Sequence, residues 1–238
     1  NAAFVACATG VTYNGLAAGT HNFPVRATDA ANNMDESPAS YSWAVQSAVN
    51  CGAPQTLTAS GDAWINSGSP TDNKGSDSIL KVMSKSGANL RGLVRFNLPT
   101  LPQGCSVESA LLRIYAKSAA GGRTLQVLQL GGSWTEGGVN WSNQPATTGP
   151  AVTVASGTGY REWSVAAMVQ AQYTGTNNGF LVRDAVENQD AEQQFHAREE
   201  SSNRPQLVLT LGNGAPPPAP NGVPETQITG SPLAATTS

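Results

Sequence analysis

Short runs of alternating apolar and polar residues, each ended by a turn cluster, recur along most of this chain, and that rhythm restricts it to strands with tight connections. The runs are Ala63-Trp64-Ile65, Ile79-Leu80-Lys81-Val82-Met83, Leu90-Arg91-Gly92-Leu93-Val94-Arg95-Phe96, Ala110-Leu111-Leu112-Arg113-Ile114-Tyr115, Leu125-Gln126-Val127-Leu128, Phe180-Leu181-Val182 and Leu207-Val208-Leu209. Ser67-Gly68-Ser69-Pro70 and Gly121-Gly122 are typical of the interruptions. Seven or more such strands predict an all-β fold, a jelly-roll-like two-sheet sandwich over 51–212. One short helix is expected over 165–173, where Ser164 could cap and Val165, Met168, Val169 and Gln172 follow helical spacing.

Composition removes several alternatives. Only 12% of the 238 residues are charged, too few for long amphipathic helices, and Gly and Pro sit at nearly every apparent turn. A formal net charge of −3 supplies no basic field, so nucleic acid and anionic lipid are poor partners. No apolar run is long enough to cross a bilayer, so membrane insertion is not expected. The first residues, Asn1-Ala2-Ala3-Phe4, are not a signal peptide; any targeting signal is expected upstream of residue 1. Cys7, Cys51 and Cys105 lack the paired spacing of a metal site. One oxidised pair with one cysteine left over is the better reading, and Cys51–Cys105 is the expected pair, since each lies at the edge of a strand region.

The flanks read differently from the central block. Residues 1–47 contain an Asn14-Gly15 turn, a strand at Phe23-Pro24-Val25-Arg26-Ala27-Thr28, and another at Tyr41-Ser42-Trp43-Ala44-Val45, about half of a sandwich. The phrase from Gly15 through His21, Phe23 and Arg26 to Ala30, followed by Pro38-Ala39-Ser40-Tyr41-Ser42-Trp43, resembles the last strands of a bacterial immunoglobulin-like repeat. That resemblance implies a partner for Cys7 just upstream of residue 1. A stiff Pro-rich linker is expected over 213–223, around Ala215-Pro216-Pro217-Pro218. Residues 224–238, with Glu225-Thr226-Gln227-Ile228-Thr229, are similar to the opening strand of the same repeat, and could be donated to a neighbouring chain.

The central block carries an ordered series of words: Asp62-Ala63-Trp64-Ile65, Asn73-Lys74-Gly75, Gly92-Leu93-Val94-Arg95-Phe96-Asn97-Leu98-Pro99 and Val107-Glu108-Ser109-Ala110-Leu111-Leu112-Arg113-Ile114-Tyr115. Trp134-Thr135-Glu136, Val139-Asn140-Trp141-Ser142-Asn143-Gln144-Pro145 and Phe195-His196-Ala197-Arg198-Glu199 follow. Together they resemble the DNRLRE-type domain, a secreted jelly-roll-like module related to a carbohydrate-binding module family that accompanies polysaccharide lyases. The resemblance implies a secreted or cell-surface, extracellular protein.

Three residue groups are site candidates. Trp134, Glu136 and Trp141 could stack on a sugar and accept its hydroxyl hydrogen bonds, or the two indoles could cap the core while Glu136 ties down a loop. His196 and Arg198, sharing a strand face with Glu200, could line the same ligand surface or form ordinary charge pairs. Asp62, Asp72, Asn73 and Asp77 offer oxygen ligands suited to a structural calcium ion, and a turn built from such residues is the alternative. Asn140-Trp141-Ser142 also fits the N-glycosylation pattern.

No catalytic motif stands out. The two histidines, His21 and His196, fall in different segments, and nothing in the sequence brings Glu136 together with Glu162 or Asp184 as a glycosidase pair. The expected function is therefore a non-catalytic structural or adhesive repeat of a surface protein or fibre, with copies of itself or adjacent repeats as partners. The alternative is a carbohydrate-binding module that anchors its host to a polysaccharide. No cofactor is required by either reading.

Overall fold

A computed structural model describes residues 4–6, 12–45, 47 and 49–213. Cys7, the expected linker beyond Asn213 and the expected strand over 224–238 lie outside the described residues. The strands are β1 (Gly19–Val25), β2 (Ala39–Val45), β3 (Gln55–Asn66), β4 (Ile79–Ser84), β5 (Leu90–Phe96), β6 (Cys105–Ala119), β7 (Thr124–Leu130), β8 (Thr147–Ala155), β9 (Gly159–Ser164), β10 (Phe180–Asp184), β11 (Ala191–His196) and β12 (Gln206–Asn213). One helix, α1 (Ala166–Thr174), lies between β9 and β10. No described helix is long and apolar enough to cross a membrane.

β1 and β2 form a two-stranded antiparallel hairpin in which His21 faces Trp43 and Phe23 faces Tyr41. The partial immunoglobulin-like sandwich expected over 1–47 is not distinguished as a separate module. A hairpin alone cannot bury two sheet faces, and Tyr41 stays 67% exposed.

The other ten strands make one antiparallel sheet in the order β3-β12-β6-β11-β4-β5-β10-β7-β8, with β9 on β6. β3 holds this sheet together as a jelly-roll-like sandwich. Residues 55–58 pair with β12, and residues 59–66 pair with β5 after a register shift between Ala59 and Gly61, so one strand belongs to both layers. At the opposite margin β4 touches β5 through the single pair Met83↔Leu90.

Period-two alternation decides what faces the core. Ala110, Leu112, Ile114 and Ala116 of β6 point inward with Leu207, Leu209 and Leu211 of β12, and meet Val94, Phe96, Val127, Phe180 and Val182 from the other layer. Helix α1 adds Met168 and Val169 to this core. Ser164 does not cap it: it pairs with Leu111 as the last residue of β9, and Val165 takes the cap position with no side-chain bond. A strand residue whose backbone is held by the ladder cannot also supply the cap geometry.

Cys51 and Cys105 are bonded, tying the segment before β3 to the first residue of β6 across a sequence separation of 54. The chain-entropy model assigns such a loop about 4 kcal/mol. Replacing both cysteines with serine should lower the unfolding free energy by up to that amount in denaturant titrations, and an unchanged midpoint would show that the crosslink contributes nothing.

Candidate functional site

β5 has two working faces. Leu90, Val94 and Phe96 enter the main core, while Leu93 turns the other way into a second cluster with Ala63, Ile65, Leu128, Leu130, Trp134, Val139 and Leu181. The segment 131–146 covers that second face. Trp134 is only 6% exposed, and its Nε1 donates to the Asn178 carbonyl at 2.8 Å. Arg95 lies 5.3 Å from the centre of that ring and donates to the Trp134 carbonyl at 3.2 Å. Arg91 stacks 4.4 Å from the centre of Trp141, donates to Gln144 at 2.9 Å, and grips Glu187 with two bonds of 2.7 Å. Both tryptophans are thus packed by arginines of one strand. Asn140, of the glycosylation pattern, caps a 3-10 turn at Trp141–Asn143 by accepting from the Ser142 and Asn143 amides.

Glu136 sits where this segment meets the end of β11. Arg198 donates to its two carboxylate oxygens at 2.5 and 2.8 Å, and the Asp62 amide adds a bond of 2.9 Å. The Arg198 amide in turn donates to Asp62 at 2.8 Å, and Glu199 lies 3.1 Å from the same guanidinium. Asp62, Glu136 and Glu199 each bring an oxygen within 4.8 Å of the others, so they could coordinate a hard cation such as calcium. Arg198 already neutralises part of that charge. Burial pushes the Asp62 carboxyl up to about 7, and repulsion from Glu199 and Glu136 acts in the same direction, against the Arg198 amide bond and guanidinium charge.

The 72–77 loop is organised around this node. Asn73 donates through Nδ2 to the carbonyls of Glu136 and Val139, both at 2.7 Å, while Asp77 accepts from Trp64 Nε1 at 2.8 Å and Asp72 pairs with Lys74 at 3.4 Å. Gly75 is pressed against the Glu136 backbone so closely that an added Cβ would lie 2.2 Å from its carbonyl oxygen. Of the four oxygen donors singled out in the sequence, only Asp62 joins the carboxylate cluster.

His196 and Arg198 part company because the strand stops at His196. The Ala197 amide bonds the Ser78 carbonyl and the Glu200 amide bonds the Ala197 carbonyl, which turns the chain and leaves Arg198 and Glu200 off the ladder. His196 instead packs beside Tyr115 at a ring-centre distance of 4.9 Å, and Tyr115 meets Tyr160 edge-on at 5.3 Å. Arg113 lies over Tyr160 at 4.2 Å and bonds Glu162 at 2.7 Å. Sequence reasoning does not single out Tyr115 and Tyr160. Tyr115 occupies the outward phase of a recognised strand, which is the available signal, but Tyr160 lies on β9, whose Gly159-Tyr160-Arg161 start has no apolar alternation.

The carboxylates weighed as a glycosidase pair are each held by a different guanidinium: Glu136 by Arg198, Glu162 by Arg113, and Asp184 by Arg123 at 2.8 Å.

The model of a protein family described as carbohydrate-binding module family 96 matches residues 53–211. No curated protein matches the chain.

The raised Asp62 carboxyl makes stability depend on pH with a definite sign. The fold prefers the protonated form, so this contribution is complete below the ordinary value of 3.8 and is lost as pH rises through about 7. Asp62→Asn mimics the protonated group, so its stability relative to wild type should improve between pH 4 and about 7 and level off above, by about 1.4 kcal/mol for every tenfold difference in proton affinity between the folded and unfolded chain. Parallel thermal melts giving a constant difference across that range would refute the assignment.

Proposed function

The chain belongs to carbohydrate-binding module family 96, and from that premise we propose that it is a non-catalytic module holding its parent protein on a polysaccharide. The observation that carries the reading is the extent of the match, 53–211, which takes in nearly the whole sandwich from β3 to β12. The chemistry agrees with it. Arginine pairs hold the carboxylates that a hydrolase would need free, while partly exposed aromatic rings remain on the outer face of β6 and β9. Secretion is part of the same proposal, supported by the Cys51–Cys105 disulfide, since such bonds persist in oxidising compartments. At the Asp62, Glu136 and Glu199 cluster, a calcium ion and the Arg198 guanidinium are competitors for the same oxygens.

A second reading, an adhesive repeat that associates with copies of itself or with adjacent repeats, is favoured by one observation. The hairpin of β1 and β2 carries stacked rings, with His21 and Trp43 at 5.7 Å and Tyr41 and Trp43 at 6.0 Å, on a face where Tyr41 is 67% exposed and His21 and Trp43 are half-buried. Sheet edges and apolar faces of this kind pair readily with other chains. Sedimentation velocity at high concentration should reveal oligomers that Trp43→Ser disperses, and a concentration-independent monomer would eliminate this reading.

The main proposal is tested by electrophoresis through gels containing soluble polysaccharides. At least one polymer should retard the protein relative to a plain gel, and the protein should release no reducing sugar from it. Migration unaffected by every polymer in a broad panel would overturn the reading.

A further inference from the structure

The two layers of the sandwich end at β8 and at β9, and among the described residues neither edge strand has a second neighbour. Helix α1 follows β9 and closes toward β8, and between them lies a groove of about 210 Å³ lined by Pro150, Val152, Val165, Ala167, Met168 and Ala171. None of the residues lining it is charged, and β8 itself carries no charge. Edge strands left open to water are commonly guarded by lysine or by inward-pointing charge. β8 has only Pro150, which removes one amide and leaves residues 151–155 with a free edge. We propose that Thr226-Gln227-Ile228-Thr229-Gly230 of the same chain adds to this edge as a further strand, with the Ile228 side chain seated in the groove.

The point at which the chain leaves the sandwich suits that path. Asn213, the last residue of β12, pairs with Cys105, and two residues further along β6 the Val107 amide donates to Gln170 Oε1 of α1 at 2.8 Å. The chain therefore departs one strand away from the helix that walls the groove. Neighbouring strands lie about 5 Å apart and packed elements about 10 Å, so the way from β12 past β6 and α1 to β8 is about 25 Å. Residues 214–223 join Asn213 to Pro224, and a Pro-rich stretch advances about 3.1 Å per residue, which makes about 30 Å available. A stiff connection of the required length leaves little slack to be lost on docking.

Pattern and charge match as well. On an added strand Thr226, Ile228 and Gly230 share the face that Val152 and Val154 turn toward the core, while Gln227 and Thr229 face solvent beside Thr153. Glu225 is the only charged residue in 224–238 and lies outside the paired stretch, so an uncharged strand meets an uncharged edge. Main-chain hydrogen bonds supply the attachment, and the groove selects an aliphatic side chain.

Amide hydrogen exchange on the full chain, read by mass spectrometry, tests the pairing. Ile228→Asp removes the apolar anchor, and Ala171→Glu puts a carboxylate at an exposed position of α1 that lines the groove. Thr237→Asp adds the same charge beyond the paired stretch as control. Thermal melts establish that each variant is folded. Peptides covering 151–155 should exchange about tenfold faster in Ile228→Asp and Ala171→Glu than in wild type and control, with β5 and β10 unchanged. Wild-type exchange in both groove variants would overturn the proposal. Faster exchange in Ala171→Glu alone would overturn it too, since the helix would then shield β8 without the segment, and faster exchange in Ile228→Asp alone would overturn the groove as the seat of Ile228. Protection independent of protein concentration is expected, and protection that rises with concentration would overturn pairing within the chain in favour of a neighbouring copy.

Discussion

The central constraint in this protein is that β5 is buried on both sides. A sheet with one face on the core and the other in water needs only alternation, but here Leu93 lies opposite the main core and requires a second cover. Segment 131–146 provides it, inserting Trp134 and Val139 over Leu93, Ile65 and Leu181. The polar residues of the same strand face, Arg91 and Arg95, then become fasteners that stack on the two indoles and bond their flanking chain. Without that cover a row of fully buried aliphatics would be exposed to solvent, a loss of about 25 cal/mol for each Å² uncovered.

Closing that cover determines where the acidic residues go. Glu136 lies within the covering segment, and it is fixed by Arg198 from beyond β11 and by the Asp62 amide of β3. Three distant parts of the chain thus meet at a few charged hydrogen bonds, which are about twice as strong as neutral ones. Gly75 belongs to the same joint, because nothing larger fits against the Glu136 carbonyl. Charge used in this way braces the structure and is withdrawn from chemistry. On the opposite layer Tyr115 and Tyr160 meet edge-on and stay half-buried beside the Arg113–Glu162 pair.

Much of the sandwich is legible in the sequence, and the omissions have physical causes. β6 and β12 announce themselves by alternation because one side of each is core and the other is more exposed, whereas β7 sends Leu125 and Val127 into the main core and Leu128 and Leu130 into the second cluster. β8 does not announce itself, since Thr147, Thr148, Gly149 and Pro150 are all exposed and the strand is held mainly by its ladder to β7. A proline is tolerated there because β8 is an edge. β9 is hidden for a similar reason: Trp163 is the one residue of that strand in the core. Among the candidate site residues, Trp134 and Glu136 stand out in the sequence but their setting does not, because the signal for sugar stacking and the signal for a core plug are the same pair of indoles.

From its sequence alone this chain is committed to an all-β sandwich, since alternation, turn residues and the scarcity of charge are local properties that each strand carries wherever it is placed. Partnership is not local. Which arginine would reach Glu136, that His196 and Arg198 would separate, and that Tyr115 would find Tyr160 all depend on strands distant in sequence becoming neighbours in one sheet. Register and closure decide those meetings, and neither is written into any single segment, so only the folded chain distinguishes a buried brace from a surface open to a ligand.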